Sequence, residues 1–208
     1  MTNERFRQAL TTGGPDYGIV LSEEAIQGLV DYYALLMRWN ERLHLVAPCE
    51  PEEFATRHVM ESLMLLRFLP SAASLVDIGS GGGLPVIPCL IAREDLFATL
   101  IESSQKKAVF LREALKQSGR LDSTQVIAKT FEETPTPAAK FVTCRALDQF
   151  TRKLGRIVSW SPPTSTLVLY GGEILRRELD TIDVQYTEFL IPFSEKRFIY
   201  EVKRTRQS

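Results

Sequence analysis

The residues best suited to chemistry lie together in Ser74-Leu75-Val76-Asp77-Ile78-Gly79-Ser80-Gly81-Gly82-Gly83-Leu84-Pro85. An apolar run ends at Asp77, four glycines fall within five residues, and a helix-like segment with early Pro85 and Pro88 follows. Glycines at such a turn allow positive φ and let the backbone approach a ligand, and the helix start beyond them offers unpaired N–H groups. A tight turn with no ligand would look the same, so the neighbouring acids carry the distinction. Asp77 stands two residues before Gly79, and Glu102 ends the next predicted strand, 25 residues after Asp77. A carboxylate at that strand tip is placed to accept hydrogen bonds from ribose hydroxyls. Dinucleotides and S-adenosylmethionine both use this layout. The dinucleotide pattern G-x-G-x-x-G is incomplete here, because Gly79-x-Gly81-x-Gly83 is followed by Leu84. A carboxylate at Asp77 would repel a pyrophosphate but suits a sulfonium cation and its amino group. The pattern favours S-adenosylmethionine, held by Asp77, Gly79, Ser80, Gly81, Gly83, Leu84 and Glu102.

Other chemistries find little support. Cys49, Cys89 and Cys144 are far apart with no CxxC pair, and only His44 and His58 could join them, so no metal site is predicted. Free thiols point to a reducing compartment. The start, MTNERFRQAL, lacks the apolar centre of a secretion signal, and no run approaches the roughly 18 apolar residues of a membrane span. The expected setting is cytoplasmic, with no membrane partner. The 208 residues are 44% hydrophobic and 25% charged with a net charge of −1, which excludes a polycation. Acidic groups prevail in residues 1–72 and basic groups in residues 73–208, so a polyanion should meet the second region.

The elements that must position these residues divide at Pro70-Ser71-Ala72. Residues 1–70 read as helical. A short amphipathic start carries Phe6, Ala9 and Leu10 and breaks at Gly13-Gly14-Pro15. Ser22 offers an N-cap to a helix whose Ile26, Leu29, Val30, Tyr33, Leu36 and Met37 form one apolar face. A third helix starts near Pro51 and carries Phe54, His58, Ser62, Leu65 and Leu69. After Pro70, strand-like runs at 74–78, 98–102, 125–128, 141–144 and 165–170 alternate with helix-like stretches at 84–93, 105–117 and 150–158. That alternation predicts an α/β fold with a mainly parallel sheet. Residues 184–191 and 196–202 read as a hairpin joined by Pro192-Phe193-Ser194-Glu195, adding an antiparallel C-terminal strand. The expected domains are an N-terminal helical extension, 1–72, and a cofactor-binding domain, 73–208.

Asp77-Ile-Gly-Ser-Gly-Gly-Gly-Leu-Pro85 followed by Ile87-Pro88 resembles the cofactor motif of the RsmG (GidB) family of 16S ribosomal RNA guanine-N7 methyltransferases. Further blocks agree in order: Leu36-x-x-Trp39-Asn40 with Leu43 and Leu45; Arg57-His58-x-x-Glu61-Ser62-Leu63; Leu100-Ile-Glu102-Ser103; Lys106-Lys107-x-x-Phe110-Leu111; Arg145-Ala146; and Lys196-Arg197-Phe-Ile-Tyr-Glu-Val-Lys203. The likeness spans about residues 30–205. Departures are Val86 for a customary glycine, Thr130 for an arginine, Tyr170 for a lysine, and His44-Leu45-Val46 for Asn-Leu-Thr.

The resemblance implies a class I, Rossmann-like methyltransferase sheet and methylation of guanine N7 in 16S ribosomal RNA, in the small subunit or an assembly intermediate, by a monomer. Guanine N7 carries no proton, so orientation rather than a general base would do the work. It places Arg145 beside the transferred methyl, as the catalytic residue and a contact to cofactor and RNA; a surface pair with Asp148 is the plainer alternative. Arg57, His58, Lys106 and Lys107 become RNA contacts, although His58 could be a packing residue and the lysines a solvated pair. Phe131 and Glu132 fall where this fold class cradles adenine. Trp39 is expected to bury at the sheet edge and Asn40 to cap its helix. Arg152, Lys153 and Arg156, and Lys203, Arg204 and Arg206, are basic clusters open to RNA or solvent. Two other readings remain: a methyltransferase with another substrate, and a binding module without catalysis.

Overall fold

Runs of β-branched and aliphatic residues between glycine- and proline-marked turns become the strands of one seven-stranded sheet in the computed structural model, which describes residues 2–145 and 150–204. They are β1 (Ser74–Ile78), β2 (Phe97–Ile101), β3 (Thr124–Ile127), β4 (Phe141–Arg145), β5 (Thr166–Gly171), β6 (Val184–Leu190) and β7 (Phe198–Arg204). Their order is β3-β2-β1-β4-β5-β7-β6. The first five run parallel, while β7 lies antiparallel to both β5 and β6. The order reverses between β1 and β4, where Asp77 pairs in register with Thr143. In open parallel sheets, the crevice at such a reversal, beyond the carboxyl ends of the strands, is where ligands bind.

The expected C-terminal hairpin is present, and its last strand adds antiparallel to the parallel sheet as expected, with β6 beyond it at the edge. β7 inserts between β5 and β6 with Ile199, Tyr200 and Val202 buried, whereas β6 is largely exposed. The polar residues Gln185, Thr187 and Glu188 suit β6 to an edge, and the apolar residues of β7 suit it to an interior position.

The helices are α1 (Thr2–Gly13), α2 (Glu23–Leu43), α3 (residues 51–68), α4 (Val86–Ala92), α5 (Gln105–Gln117), α6 (Phe150–Trp160) and α7 (Glu173–Leu179). Ser22 caps α2 by accepting from Ala25 N at 3.2 Å, and the predicted face buries Ile26, Leu29, Val30, Tyr33 and Leu36. α3 is not uniform: a π-helical segment, Phe54–Met60, interrupts it. α7 carries a weak sequence signal: its apolar residues are Ile174, Leu175 and Leu179, of which only Leu175 and Leu179, one turn apart, are buried.

Side chains alternate across the sheet into two apolar clusters. One packs α6 and α7 on Val76, Ile78, Val142, Leu167 and Tyr200. The other joins α1 to α5 on Leu75, Leu100, Val168 and Ile199. Within it Phe6 stacks on Tyr33 with ring centres 4.3 Å apart, and Tyr33 meets Phe54 at 5.0 Å. Residues of the N-terminal extension and of the sheet thus share one core. Trp39 packs edge-on against Phe110 of α5 rather than at the sheet edge, because α2 crosses α5 there.

Candidate active site at the carboxyl edge of the sheet

The chain leaves β1 into a turn that three positive-φ glycines make possible, Gly79 (71°), Gly81 (53°) and Gly83 (84°). A Cβ on Gly83 would fall 2.4 Å from Ile87 Cδ1, so only glycine lets α4 start this close. Gly79 N and Ser80 N donate to Ile101 O at 2.8 and 3.1 Å, folding the turn over the end of β2. Glu102 fixes it further: Oε2 accepts from Gly81 N at 2.8 Å, and Oε1 accepts from Ser104 N at 2.7 Å. From the other side, Tyr32 of α2 donates its hydroxyl to Gly82 O.

Beneath this turn Asp77 is fully buried, and neither carboxylate oxygen has a hydrogen-bond partner among the described residues. Burial pushes its pKa up to about 7; the nearby Ser80 hydroxyl opposes the rise and the Glu102 charge adds to it. A buried, unpaired carboxylate is unfavourable unless a donor or cation completes it.

Above the turn opens a cavity of about 490 Å³, in the size range of small-molecule sites. Gly79, Ser80, Gly81, Gly82 and Leu84 form its floor, with Glu102, Ser103 and Lys107 on one side, His58 and Arg145 on another, and Leu45, Val46 and Ala47 closing it. The structure therefore brings Gly79, Ser80, Gly81, Leu84, Glu102, His58, Lys107 and Arg145 together. Asp77 and Gly83 support the floor from below. Phe131 and Glu132 follow β3 at the same edge but do not line this cavity: the Phe131 side chain is buried edge-on against Trp160 on the other face of the sheet, and Glu132 is exposed. Lys106 is exposed beside the cavity, and Arg57, also exposed, pairs with Glu53 at 2.5 Å. Asp148, Ala146 and Arg206 lie outside the described residues.

Sequence reasoning missed the wall formed by Leu45, Val46 and Ala47. Its signal is Asn40, which does not cap its helix. Asn40 Nδ2 donates to Val46 O at 3.1 Å and Oδ1 accepts from Val46 N at 2.9 Å, clasping the loop over the cavity. The helix ends instead at His44, in the left-handed region at φ 47°.

Arg145 is more tightly held than an exposed cation would be. Nη1 donates to His58 O (3.2 Å) and Ser62 Oγ (3.0 Å), and Nη2 to Arg57 O (2.6 Å) and Glu61 Oε2 (3.2 Å). Its guanidinium also lies 5.4 Å from the centre of the Tyr170 ring. Two of the Arg145 acceptors, the carbonyls of Arg57 and His58, belong to the π-helical segment of α3. Glu61 is itself buried and also receives Arg197. Burial, with the Arg145 and Arg57 charges, pulls His58 down to about 4, so its imidazole is neutral at neutral pH. Tyr170 donates to Glu61 O at 3.2 Å and so braces this same helix.

The family model for GidB, rRNA small subunit methyltransferase G, matches residues 25–203. The chain belongs to the RsmG (GidB) family. It is 36% identical over 169 residues to the ribosomal RNA small subunit methyltransferase G of Neisseria gonorrhoeae, covering 81% of this chain and 76% of that one. To the protein of the same name from Xanthomonas axonopodis pv. citri it is 45% identical over 149 residues, 71% and 63% of the two chains. Among solved structures it is similar to the mitomycin 7-O-methyltransferase MmcR, with a TM-score of 0.61 at 18% identity, covering 97% of this chain and 67% of that one. An O-methyltransferase from Bacillus cereus in complex with SAH has a TM-score of 0.59 at 15% identity, covering 84% and 91%. These two likenesses concern the fold. As a member of the RsmG family the chain is a methyltransferase whose cofactor is S-adenosylmethionine. The residues present fit that cofactor: Asp77 is a buried acid with no hydrogen-bond partner among the described residues, and Gly79, Gly81 and Gly82 leave much of the cavity floor free of side chains.

Proposed function

We propose that this chain methylates N7 of a guanine in 16S ribosomal RNA, within the small subunit or an assembly intermediate, acting as a monomer in the cytoplasm. The observation that carries the reading is the match to the rRNA small subunit methyltransferase G family over residues 25–203, which span every residue lining the cavity. When bound, the cofactor supplies an electrophilic methyl group on a cationic sulfur. Asp77 and Glu102 would hold it, the first offering negative charge below the turn and the second its free lone pairs at the tip of β2. The Leu45–Ala47 wall and the glycine floor restrict its orientation and exclude water. Guanine N7 attacks with its own lone pair, so the chain needs to align the partners rather than remove a proton. Alkylation makes the guanine cationic, and a bare guanidinium at its side would oppose that. Arg145 shares Glu61 with Arg197, so its charge is only partly offset, and its terminal N–H groups are taken by Arg57, His58, Ser62 and Glu61. What it offers a phosphate or base oxygen at the cavity mouth is an electrostatic attraction. Lys107 adds an attraction for the RNA backbone.

The test is transfer of a labelled methyl group from S-adenosylmethionine to small ribosomal subunits from a strain lacking the guanine-N7 methyltransferase, with the modified nucleoside identified by mass. The expected product is 7-methylguanosine. Incorporation into a different nucleoside, or none despite measured cofactor binding, would replace this substrate with another.

A further inference from the structure

A second cavity, also of about 490 Å³, lies beside the first and is lined by Gly13, Asp16, Tyr17, Thr56, Arg57, Phe193 and Arg197. Glu61 connects the two: it accepts from Arg145, which lines the cofactor cavity, and from Arg197, which lines this one, at 3.2 and 2.8 Å. The cavities therefore lie on either side of one carboxylate. We propose that the second cavity is a subsite for a single-stranded nucleotide flanking the methylated guanine, with its base stacked on Phe193 and its phosphate held by Arg57 and Arg197. The proposal rests on the ribosomal RNA reading above and assigns a place to a part of that substrate beyond the target base.

Phe193 is the main observation. The residue is 75% exposed at the tip of the β6–β7 turn, its ring centre 5.6 Å from that of Tyr17. Its φ is +58°, a conformation that a bulky residue adopts only against strain. Ser194 N donates to Ile191 O at 3.1 Å, so Pro192 and Phe193 are the central residues of a tight turn. With proline first and positive φ second, that second position normally takes glycine or asparagine. The folded chain gains little from an exposed phenylalanine there, so the reason for it lies outside the fold. Exposed aromatics beside cations are how proteins hold single-stranded bases, because every base presents a stacking face.

The cations belong to the same construction. Ser194 Oγ accepts from Arg197 N at 2.9 Å, so the turn that presents Phe193 also places Arg197. The Arg197 side chain is 39% and that of Arg57 52% exposed, which leaves guanidinium donors for a phosphate beyond their partners Glu61 and Glu53. Asp16 supplies an acceptor suited to the exocyclic amino group of a base.

The experiment compares wild type, Phe193→Gly and Phe193→Trp in methyl transfer to unmethylated small subunits, alongside S-adenosylmethionine affinity and thermal midpoint. Phe193→Gly relieves the backbone strain while removing the stacking face. The expected result is a KM for subunits raised by about tenfold, unchanged cofactor affinity, a midpoint no lower than wild type, and recovery of KM in Phe193→Trp. Arg57→Gln should reduce the salt dependence of subunit binding by about one released counterion. An unchanged KM in Phe193→Gly overturns the subsite while leaving the methyltransferase reading intact. A raised KM that Phe193→Trp fails to recover also overturns it, since stacking would not be the contact. Absence of methyl transfer by the wild type overturns the ribosomal RNA reading and this subsite with it.

Discussion

Asp77 sits where a folded protein rarely places an acid, under a turn, fully buried and with no hydrogen-bond partner for its carboxylate among the described residues. Its folded pKa of about 7 lies above the ordinary aspartate value of about 3.9. The folded state therefore binds the proton more tightly than the unfolded chain, and the side chain lowers stability as pH rises through that interval. A cationic ligand favours the ionised form, so cofactor binding should release a proton. Calorimetry is expected to show S-adenosylmethionine affinity rising with pH by up to about tenfold per unit below pH 7 and levelling off above it. Asp77→Asn should bind at least about tenfold more weakly at pH 8, equivalent to about 1.4 kcal/mol. It should also lose the pH dependence and raise the thermal midpoint of the ligand-free protein. A pH-independent affinity in the wild type would remove Asp77 from the cofactor site. The acid was visible in the sequence from its place before the glycines; its lack of a partner was not, because that depends on every side chain packed around it.

Among the elements, α2 reaches the site twice. Tyr32 grips the glycine turn, and Asn40 clasps Val46 through two hydrogen bonds. Asn40→Ala should cost about 1–2 kcal/mol in denaturant unfolding, two hydrogen bonds of modest net strength. It should also weaken cofactor binding by freeing the Leu45–Ala47 wall. Asn40→Asp keeps the acceptor and loses the donor, so it should fall between the two. Equal cofactor affinity in all three proteins would show that the wall does not touch the ligand. The Trp39-Asn40 pair was legible as structural, but the helix itself ends on His44, and the amide reaches six residues ahead instead. The π-helical segment of α3 had no comparable signal. Phe54–Met60 reads like any helical run, and no local pattern announces that its Arg57 and His58 carbonyls accept from Arg145 of a distant strand.

For the molecule as a whole, the shared core bears on how it unfolds. Phe6, Tyr33 and Phe54 of the extension belong to the same apolar cluster as Leu75, Leu100 and Ile199 of the sheet. Residues 1–72 and 73–208 are therefore expected to unfold together. Trp39 reports on the contact between α2 and α5, and Trp160 on the opposite face of the sheet. Trp39→Phe and Trp160→Phe each leave one indole as a probe, and their fluorescence transitions in denaturant should share one midpoint. Two separated midpoints would make the extension an independent unit.

The sequence alone determined the alternation of strands and helices, the glycine turn with its two acids, and the C-terminal hairpin. All of these are written in local periodicity and turn chemistry, which act over a few residues. The tertiary structure decided that β7 enters the sheet ahead of β6, since which strand is interior depends on the neighbour available to cover it. It also decided that Phe131 faces Trp160 rather than the cavity, and that Arg145 and Arg197 converge on Glu61 from 84 and 136 residues away. Such meetings are set by packing across layers, where each side chain's partners come from elements that no local pattern brings together.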